Sequence, residues 1–243
     1  MAKLTLTYIF HSCFMLETER FIAVFDYWKD SPDKLVEHTA AATHKRMYFL
    51  SSHFHIDHFN PDIIKMAVPY GDKKVILSQD IIRHKRARKA DADIVLRKGD
   101  TYSDDMMSLK AYGSTDVGLS FMMQTEGLHI FHAGDLNNWH WEDESTPAEV
   151  KKMNGDFMAI LRDIKADCPA VDLAMFPVDP RLKTDFYRGA RRWIETIRTH
   201  YFAPMHFPPA TKTAMTFGAI AQQMGVDFLY IHHPGEVILQ TGE

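Results

Sequence analysis

Residues 53–58 read His-Phe-His-Ile-Asp-His, which places three imidazoles and a carboxylate within six positions. Neutral imidazole together with carboxylate suits zinc, manganese or iron. In extended backbone, residues i and i+2 point the same way, so His53 and His55 form a pair able to grip one ion. Asp57 and His58, past a bend, can face a second ion beside it. The chain has fourteen histidines, which makes chance clusters commoner than usual. Ligand-type residues at this spacing, directly after an apolar strand, still point to a metal site rather than to a histidine-rich surface loop.

Such a cluster needs stiff elements to hold it. Upstream, Arg46-Met-Tyr-Phe-Leu50 reads as a short buried strand. Downstream, Asn60 is a good helix N-cap and Pro61 suits the first helical position. The cluster is therefore predicted in the loop where a strand hands over to a helix. Two further segments end in the same way. His129-Ile-Phe-His-Ala leads into Gly134-Asp135, a small-residue turn that presents a carboxylate, and a two-metal site needs one carboxylate to bridge the ions. An isolated Gly-Asp is otherwise an ordinary turn. Phe202-Ala-Pro-Met ends in His206, held by a proline-rich turn.

The remaining pattern predicts strands near 3–9, 13–18, 20–26, 74–78, 94–96, 107–112, 118–125, 128–132, 171–177, 201–203, 226–231 and 237–240. It predicts helices over about 31–43, 147–166, 183–199 and 211–224. In the second of these, Met153, Phe157, Ile160, Leu161 and Ile164 recur at core-facing spacing. The order is strand-rich, then mixed, in two successive halves. It fits an α+β domain over residues 1–243, with two sheets packed face to face and helices outside. No Gly-x-Gly-x-x-Gly follows a strand, which argues against a doubly wound nucleotide fold.

A net charge of −4 supplies no global attraction to nucleic acid or acidic membranes. The basic run at 83–89 lacks interleaved aromatics for base stacking and reads as a solvated helix face. The N-terminus alternates like a strand without an apolar signal core, and no apolar run approaches the ~20 residues a membrane helix requires. Cys13 and Cys168, the only cysteines, read as buried thiols rather than a disulfide framework. Together these features predict a soluble cytoplasmic protein.

With His53-Phe-His55-Ile-Asp57-His58, the Gly134-Asp135 turn and strand-end His206 in that order, the chain resembles the metallo-β-lactamase superfamily. The flanks Tyr8-Ile-Phe-His-Ser-Cys-Phe-Met-Leu-Glu17, Phe25-Asp26, Ile130-Phe-His-Ala-Gly-Asp135 and Pro204-Met-His206 are similar to the branch containing L-ascorbate-6-phosphate lactonase. The resemblance runs from about residue 5 to residue 240. It implies a four-layer αβ/βα sandwich with two divalent ions, zinc or manganese, at one edge between the sheets. It assigns His53 and His55 to the first ion, Asp57, His58 and His206 to the second, and Asp135 to the bridge.

One position departs from that pattern. The family usually supplies a third histidine to the first ion upstream of the bridging Asp, and residues 111–121 contain none. Asp116 can take its place or serve as a turn residue before Gly118; without it the first site is open or weak. Asp26 is the leading candidate to fix an imidazole tautomer, as metal-bound histidines require, and Asp172 is a second. His11 falls in a strand-to-strand turn that the resemblance sets near the pocket mouth. His132 reads as a core histidine, Trp139 as pocket wall, and Arg181 as a bidentate holder of an anionic group or a surface ion pair.

The expected function is metal-dependent hydrolysis of a small anionic metabolite, a lactone or phosphate-bearing ester. A water activated by the ions is the nucleophile and Asp57 orients it. A phosphodiesterase or ribonuclease of the same superfamily is the rival within that class. A metal-binding scaffold or sensor without catalysis is the rival outside it.

Overall fold

Phe21-Ile-Ala-Val-Phe25 and Met47-Tyr-Phe-Leu50 are apolar at every position, as strands covered on both faces must be. The computed structural model describes residues 3–66 and 72–242, and it shows what covers each face. Phe21, Ala23, Phe25, Tyr48, Leu50 and Ile76 join the core between the two sheets. Their neighbours Ile22, Val24, Met47, Phe49, Val75 and Leu77 join a second core against outer helices that contribute Val36, Ala40, Ile63 and Ile81. The split follows the two-residue period of a strand.

The first sheet contains β1 (Leu4–Phe10), β2 (Cys13–Thr18), β3 (Phe21–Phe25), β4 (Arg46–Ser51), β5 (Lys73–Ser78) and β6 (Ile94–Leu96), with α1 (Leu35–Ala42), α2 (Asp62–Lys65) and α3 (Gln79–Arg83) between its strands. The second contains β7 (Thr101–Ser103), β8 (Ser108–Gly113), β9 (Leu119–Thr125), β10 (Leu128–His132), β11 (Ala170–Pro177), β12 (Arg198–Met205) and β13 (Asp227–Phe228). Its helices are α4 (Pro147–Asp167), α5 (Arg188–Thr196), α6 (Thr211–Met215) and α7 (Phe217–Gln223), and β14 (Glu236–Thr241) returns to the first sheet beside β1. Among the described residues each sheet has seven strands, in the orders β14-β1-β2-β3-β4-β5-β6 and β13-β12-β11-β10-β9-β8-β7. Strands β3 to β6 are parallel, as are β10 to β13. In such sheets ligands bind beyond the carboxyl ends of the strands. This is the α+β metallo-β-lactamase sandwich, as the sequence implied.

Helix α4 begins where its sequence says it should. The Thr146 side chain accepts from the Glu149 N–H, Glu149 answers to the Thr146 N–H, and Pro147 opens the first turn. Phe157, Leu161 and Ile164 bury its inner face. Met153 instead lines a cavity at the sheet edge.

Several boundaries differ from the sequence reading. Helix 183–199 shrinks to α5, because Lys183 and Asp185 take left-handed φ angles of 60° and 51° and the chain turns there. Residues from Arg198 onward instead extend the short predicted strand into the eight-residue β12, parallel to β11. Helix 211–224 divides into α6 and α7, and the predicted strand at 226–231 pairs only over Asp227–Phe228. The basic run is not a helix face. Helix α3 ends at Arg83, Lys85 takes a φ of 57°, and the run continues as exposed turns. Its His84 ring stacks on Phe54, inside the metal-ligand motif, at 3.7 Å between centroids. Cys13 and Cys168 are free and buried, as expected. Residues 1 and 2 of the predicted N-terminal alternation lie outside the described residues.

Candidate metal centre

Five parallel strands deliver their C-terminal ends to one edge between the sheets. Strand β3 ends at Asp26, β4 leads into Ser52 and residues 53–58, β10 into Asp135, β11 into Asp179, and β12 into His206. The β1–β2 turn adds His11 from the side. Three of these residues sit at positive φ: His11 at 58°, Asp26 at 45° and His206 at 65°. Each such non-glycine conformation costs of order 1–3 kcal/mol and persists only where the surroundings impose it. Two glycines let the loops close. A Cβ on Gly118 (φ 75°) would overlap the Ser52 carbonyl and the His53 side chain, and one on Gly134 (φ 53°) would strike the Leu119 carbonyl and Ser52.

The Asp135 carboxylate is the hub. His53 Nε2 lies 3.2 Å from its Oδ2, and His58 Nε2 and His206 Nε2 lie 3.1 and 3.3 Å from its Oδ1. The far nitrogen of each ring is tied down. His58 Nδ1 donates to Asp26 Oδ2 at 2.7 Å and His206 Nδ1 to Asp179 Oδ2 at 2.9 Å. His53 Nδ1 meets Ser52 Oγ at 2.9 Å, and that hydroxyl in turn donates to Asp26 Oδ2 at 2.6 Å. With Nδ1 carrying the proton, each Nε2 offers a lone pair toward the same carboxylate. His58 Nε2 and Asp135 Oδ1 are buried and make no hydrogen bond. Facing lone pairs call for a cation between them, so the donor set fits a divalent metal ion. His55 Nδ1 lies 3.1 Å from His53 Nε2, completing a group of His53, His55 and Asp135 whose donor atoms are within 4.8 Å of one another. A second such group is His11, Asp57, His58 and His206. Asp26, His53 and His58 also cluster, but hydrogen bonds among themselves and Ser52 occupy their facing atoms.

Electrostatics follow the geometry. Burial penalises a charged Asp135, yet His58, His206 and His53 outweigh that penalty and hold its carboxyl well below the usual range. Burial likewise disfavours a protonated His58, but Asp135 on one side and Asp26 on the other hold the ring well above the ordinary imidazole value. Asp26 and Asp179 are both lowered despite burial, the first chiefly by the charge and hydrogen bond of His58, the second by hydrogen bonds from His206 and Arg181. Burial pushes His11 down, and the neighbouring His206 and His58 push it further.

The structure thus brings His53, His55, Asp57, His58, Asp135 and His206 together, with Asp26 behind them. Asp116 stays at the rim. Its Oδ2 is 3.9 Å from His55 Nδ1, its side chain is 47% exposed, and it belongs to neither donor group. Asp172 is not at the site; it accepts from the His129 N–H, at the start rather than the end of β10. His132 is a core histidine with both nitrogens used. Nε2 donates to the Ser12 carbonyl and Nδ1 accepts from the Gly134 N–H, which fastens the Asp135 turn to the β1–β2 turn.

Arg181 grips Asp179 through Nε and Nη2 rather than standing free, although its side chain still lines the cavity. Trp139 is pocket wall as expected, its indole N–H donating to the Asp135 carbonyl at 2.8 Å. Sequence reasoning missed Asp179 and Ser52. Ser52 directly precedes His53 and Asp179 lies two residues before Arg181, and the strand-end position that identified Asp135 would have pointed to Asp179. The cavity measures about 340 Å³ and is lined by His55, Asp57, Asp116, Trp139, Trp141 and Arg181, among others.

Residues 5–150, more than half of the chain, match the family described as the beta-lactamase superfamily domain. No curated protein matches the sequence. Among solved structures, Igni18, a metallo hydrolase from the archaeon Ignicoccus hospitalis KIN4/I, is similar at a TM-score of 0.68 and 17% identity, covering 99% of both chains. A candidate metal-dependent hydrolase from Parabacteroides distasonis gives 0.64 and 17%, covering 93% of this chain and 92% of that one. CmlA, a diiron β-hydroxylase from Streptomyces venezuelae, gives 0.64 and 11%, covering 96% of this chain but 53% of its own. At these identities the likeness is one of fold, and the fold hosts more than one chemistry. The family match spans the residue 53–58 motif and the Asp135 turn, and the chain belongs to the beta-lactamase superfamily.

Proposed function

We propose that this protein is a metal-dependent hydrolase of a small anionic metabolite, a lactone or a phosphate-bearing ester. The observation that carries the reading is the convergence of three Nδ1-anchored imidazoles on the buried Asp135 carboxylate. In this reading His53, His55 and Asp135 hold one divalent ion, zinc or manganese, and Asp57, His58, His206 and Asp135 hold another. Bound there, such ions supply Lewis acidity that lowers the pKa of water and polarises a scissile bond.

The chain's own residues do the rest. Asp57 is one-third exposed and opens onto the cavity, where its carboxylate accepts a proton and orients the attacking water. The guanidinium of Arg181, raised in pKa by its hydrogen bonds to Asp179, stays charged and faces the anionic end of the substrate. Trp139 and Trp141, nearly parallel at 14°, offer flat walls to a ring. A cavity of about 340 Å³ suits a small molecule. The lactone half of the reading rests on the sequence resemblance. Two free, buried cysteines agree with work in the reducing cytoplasm, and no helix among the described residues is long and apolar enough to cross a membrane.

The exposed first side, with His55 38% exposed and Asp116 at the rim, favours a second reading as a metal-binding protein without catalysis. A panel of lactones, phosphate monoesters and phosphodiesters separates the two. Hydrolysis of one class by the metal-loaded protein is expected, and Asp57→Ala should lower its kcat by about 10²–10⁴ while the fold survives. No turnover across the panel by fully loaded protein would sink the hydrolase reading. A salt-sensitive shift with RNA would move it toward the nuclease.

A further inference from the structure

We propose that His11 is a protein ligand of the second ion, joining Asp57, His58, His206 and the bridging Asp135 as a fifth side-chain donor. The inference rests on the metal reading of the site but not on hydrolysis.

His11 is held in place by more than a surface turn would need. Its backbone takes a φ of 58°, a region that a residue with a Cβ rarely enters. Its N–H donates to Tyr8 Oη at 2.9 Å, and its carbonyl accepts from the N–H of His206 at 3.3 Å. The β1–β2 turn is thereby joined to the strand end that presents His206. The ring is fixed from three sides, edge-on to Trp28 and His58 at 5.5 Å and to His206 at 4.3 Å between centroids. Its Nδ1 meets Ser12 Oγ at 3.1 Å.

What remains is Nε2, which points into the site with no hydrogen bond among the described residues. It lies 3.8 Å from Asp57 Oδ2, beyond hydrogen-bond length. The donor atoms of His11, Asp57, His58 and His206 are all within 4.8 Å of one another. Imidazole and carboxylate ligands lie ~2.0–2.2 Å from zinc, so adjacent donors on one ion stand roughly 3–3.5 Å apart, and side-chain movements of up to about 1.5 Å bring this set onto one ion. A core histidine reads differently. His132, fully buried, spends both nitrogens on backbone groups. His11 keeps one unspent and aims it where the second ion would sit. The second side then has three imidazoles beside the carboxylates of Asp57 and Asp135, a nitrogen-rich set that suits zinc better than manganese.

The test uses the full chain. Protein loaded with one equivalent of zinc is examined by X-ray absorption, which counts the imidazoles on the metal. Three are expected, from His11, His58 and His206; two would overturn the proposal. Chelator competition with cobalt supplies a second readout. His11→Asn keeps a residue that tolerates the left-handed turn but is too short to reach the ion. It should weaken the tighter cobalt site by at least the 10–100-fold typical of lost outer partners and shift its visible absorption band. An unchanged affinity and spectrum, with native circular dichroism and Tm, would overturn the assignment and leave the hydrolase reading intact. Wild-type protein that binds neither metal would overturn both.

Discussion

The two sides of the candidate metal centre are built from unlike material. On the second side, His58 and His206 are 0% and 4% exposed, and each hands its outer nitrogen to a buried carboxylate, Asp26 or Asp179. On the first side only His53 has comparable support, through Ser52; His55 and Asp116 are 38% and 47% exposed. A carboxylate partner orients an imidazole and raises its basicity, whereas a solvent-facing ligand must be ordered at the moment of binding. The difference teaches that the shared motif at 53–58 does not make two equal sites. The second side is preorganised, and the first is assembled around His53 and the bridge.

The comparison breaks most sharply at the carboxylates behind the rings. Asp26→Asn keeps the left-handed turn but removes an acceptor, so an amide N–H can face His58 Nδ1 and reverse its tautomer. Asp26→Asn or Asp179→Asn should weaken the tighter ion about 10–100-fold in chelator competition, while His55→Ala should affect only the looser one. Equal losses for all three would erase the asymmetry.

Gly118→Ala acts on the first side through the backbone. Its Cβ would overlap the Ser52 carbonyl and the His53 side chain at a φ of 75°, which should cost about 1–3 kcal/mol in denaturant titration. A neutral result would show that the loop carrying His53 can yield.

Acid should expose the buried carboxylates of the metal-free protein. Asp26, Asp135 and Asp179 all have folded pKa values below the ordinary 3.8. Their contribution is full above that value and is lost as pH falls through the lower folded values. His58, raised in the fold, contributes in the opposite sense: its share is full below about 6.5 and fades only as pH rises through its folded value. Tm of the metal-free protein should therefore hold from about pH 5 to neutrality and fall below about pH 4. Metal binding must displace the His58 proton, so affinity should rise with pH. Asp116→Ala should have the smallest effect, changing looser-site affinity within the roughly fivefold span of an exposed contact worth about 0–1 kcal/mol. A larger loss would make Asp116 a ligand after all.

Legibility followed sequence distance. Residues 53–58 could be read because four donor-type residues fall within six positions, although β4 ends at Ser51 and His53 and His55 lie in the loop of bends and turns beyond it rather than on extended backbone. Asp135 and His206 were readable as strand ends of matching character. Asp179 has the same strand-end position, but its role was not readable, since the His206 it orients lies 27 residues away. The helix predicted over 183–199 failed because helical propensity does not register left-handed residues such as Lys183 and Asp185. Asp26 was recognised from its strand-end position, but nothing in the chain paired it with Ser52 and His58.

The sequence by itself determined the donor-type residues, their order, the strand-end loops that carry them and the α+β sandwich they belong to. These depend on residue chemistry and on periods of two or a few residues, which a linear reading can follow. Only the tertiary structure decided which side of the centre is preorganised. That depends on where Asp26 and Asp179 meet His58 and His206, and on where the β1–β2 turn aims His11. Burial and the meeting of distant strand ends are properties of the packed sheets, and no local spacing encodes them.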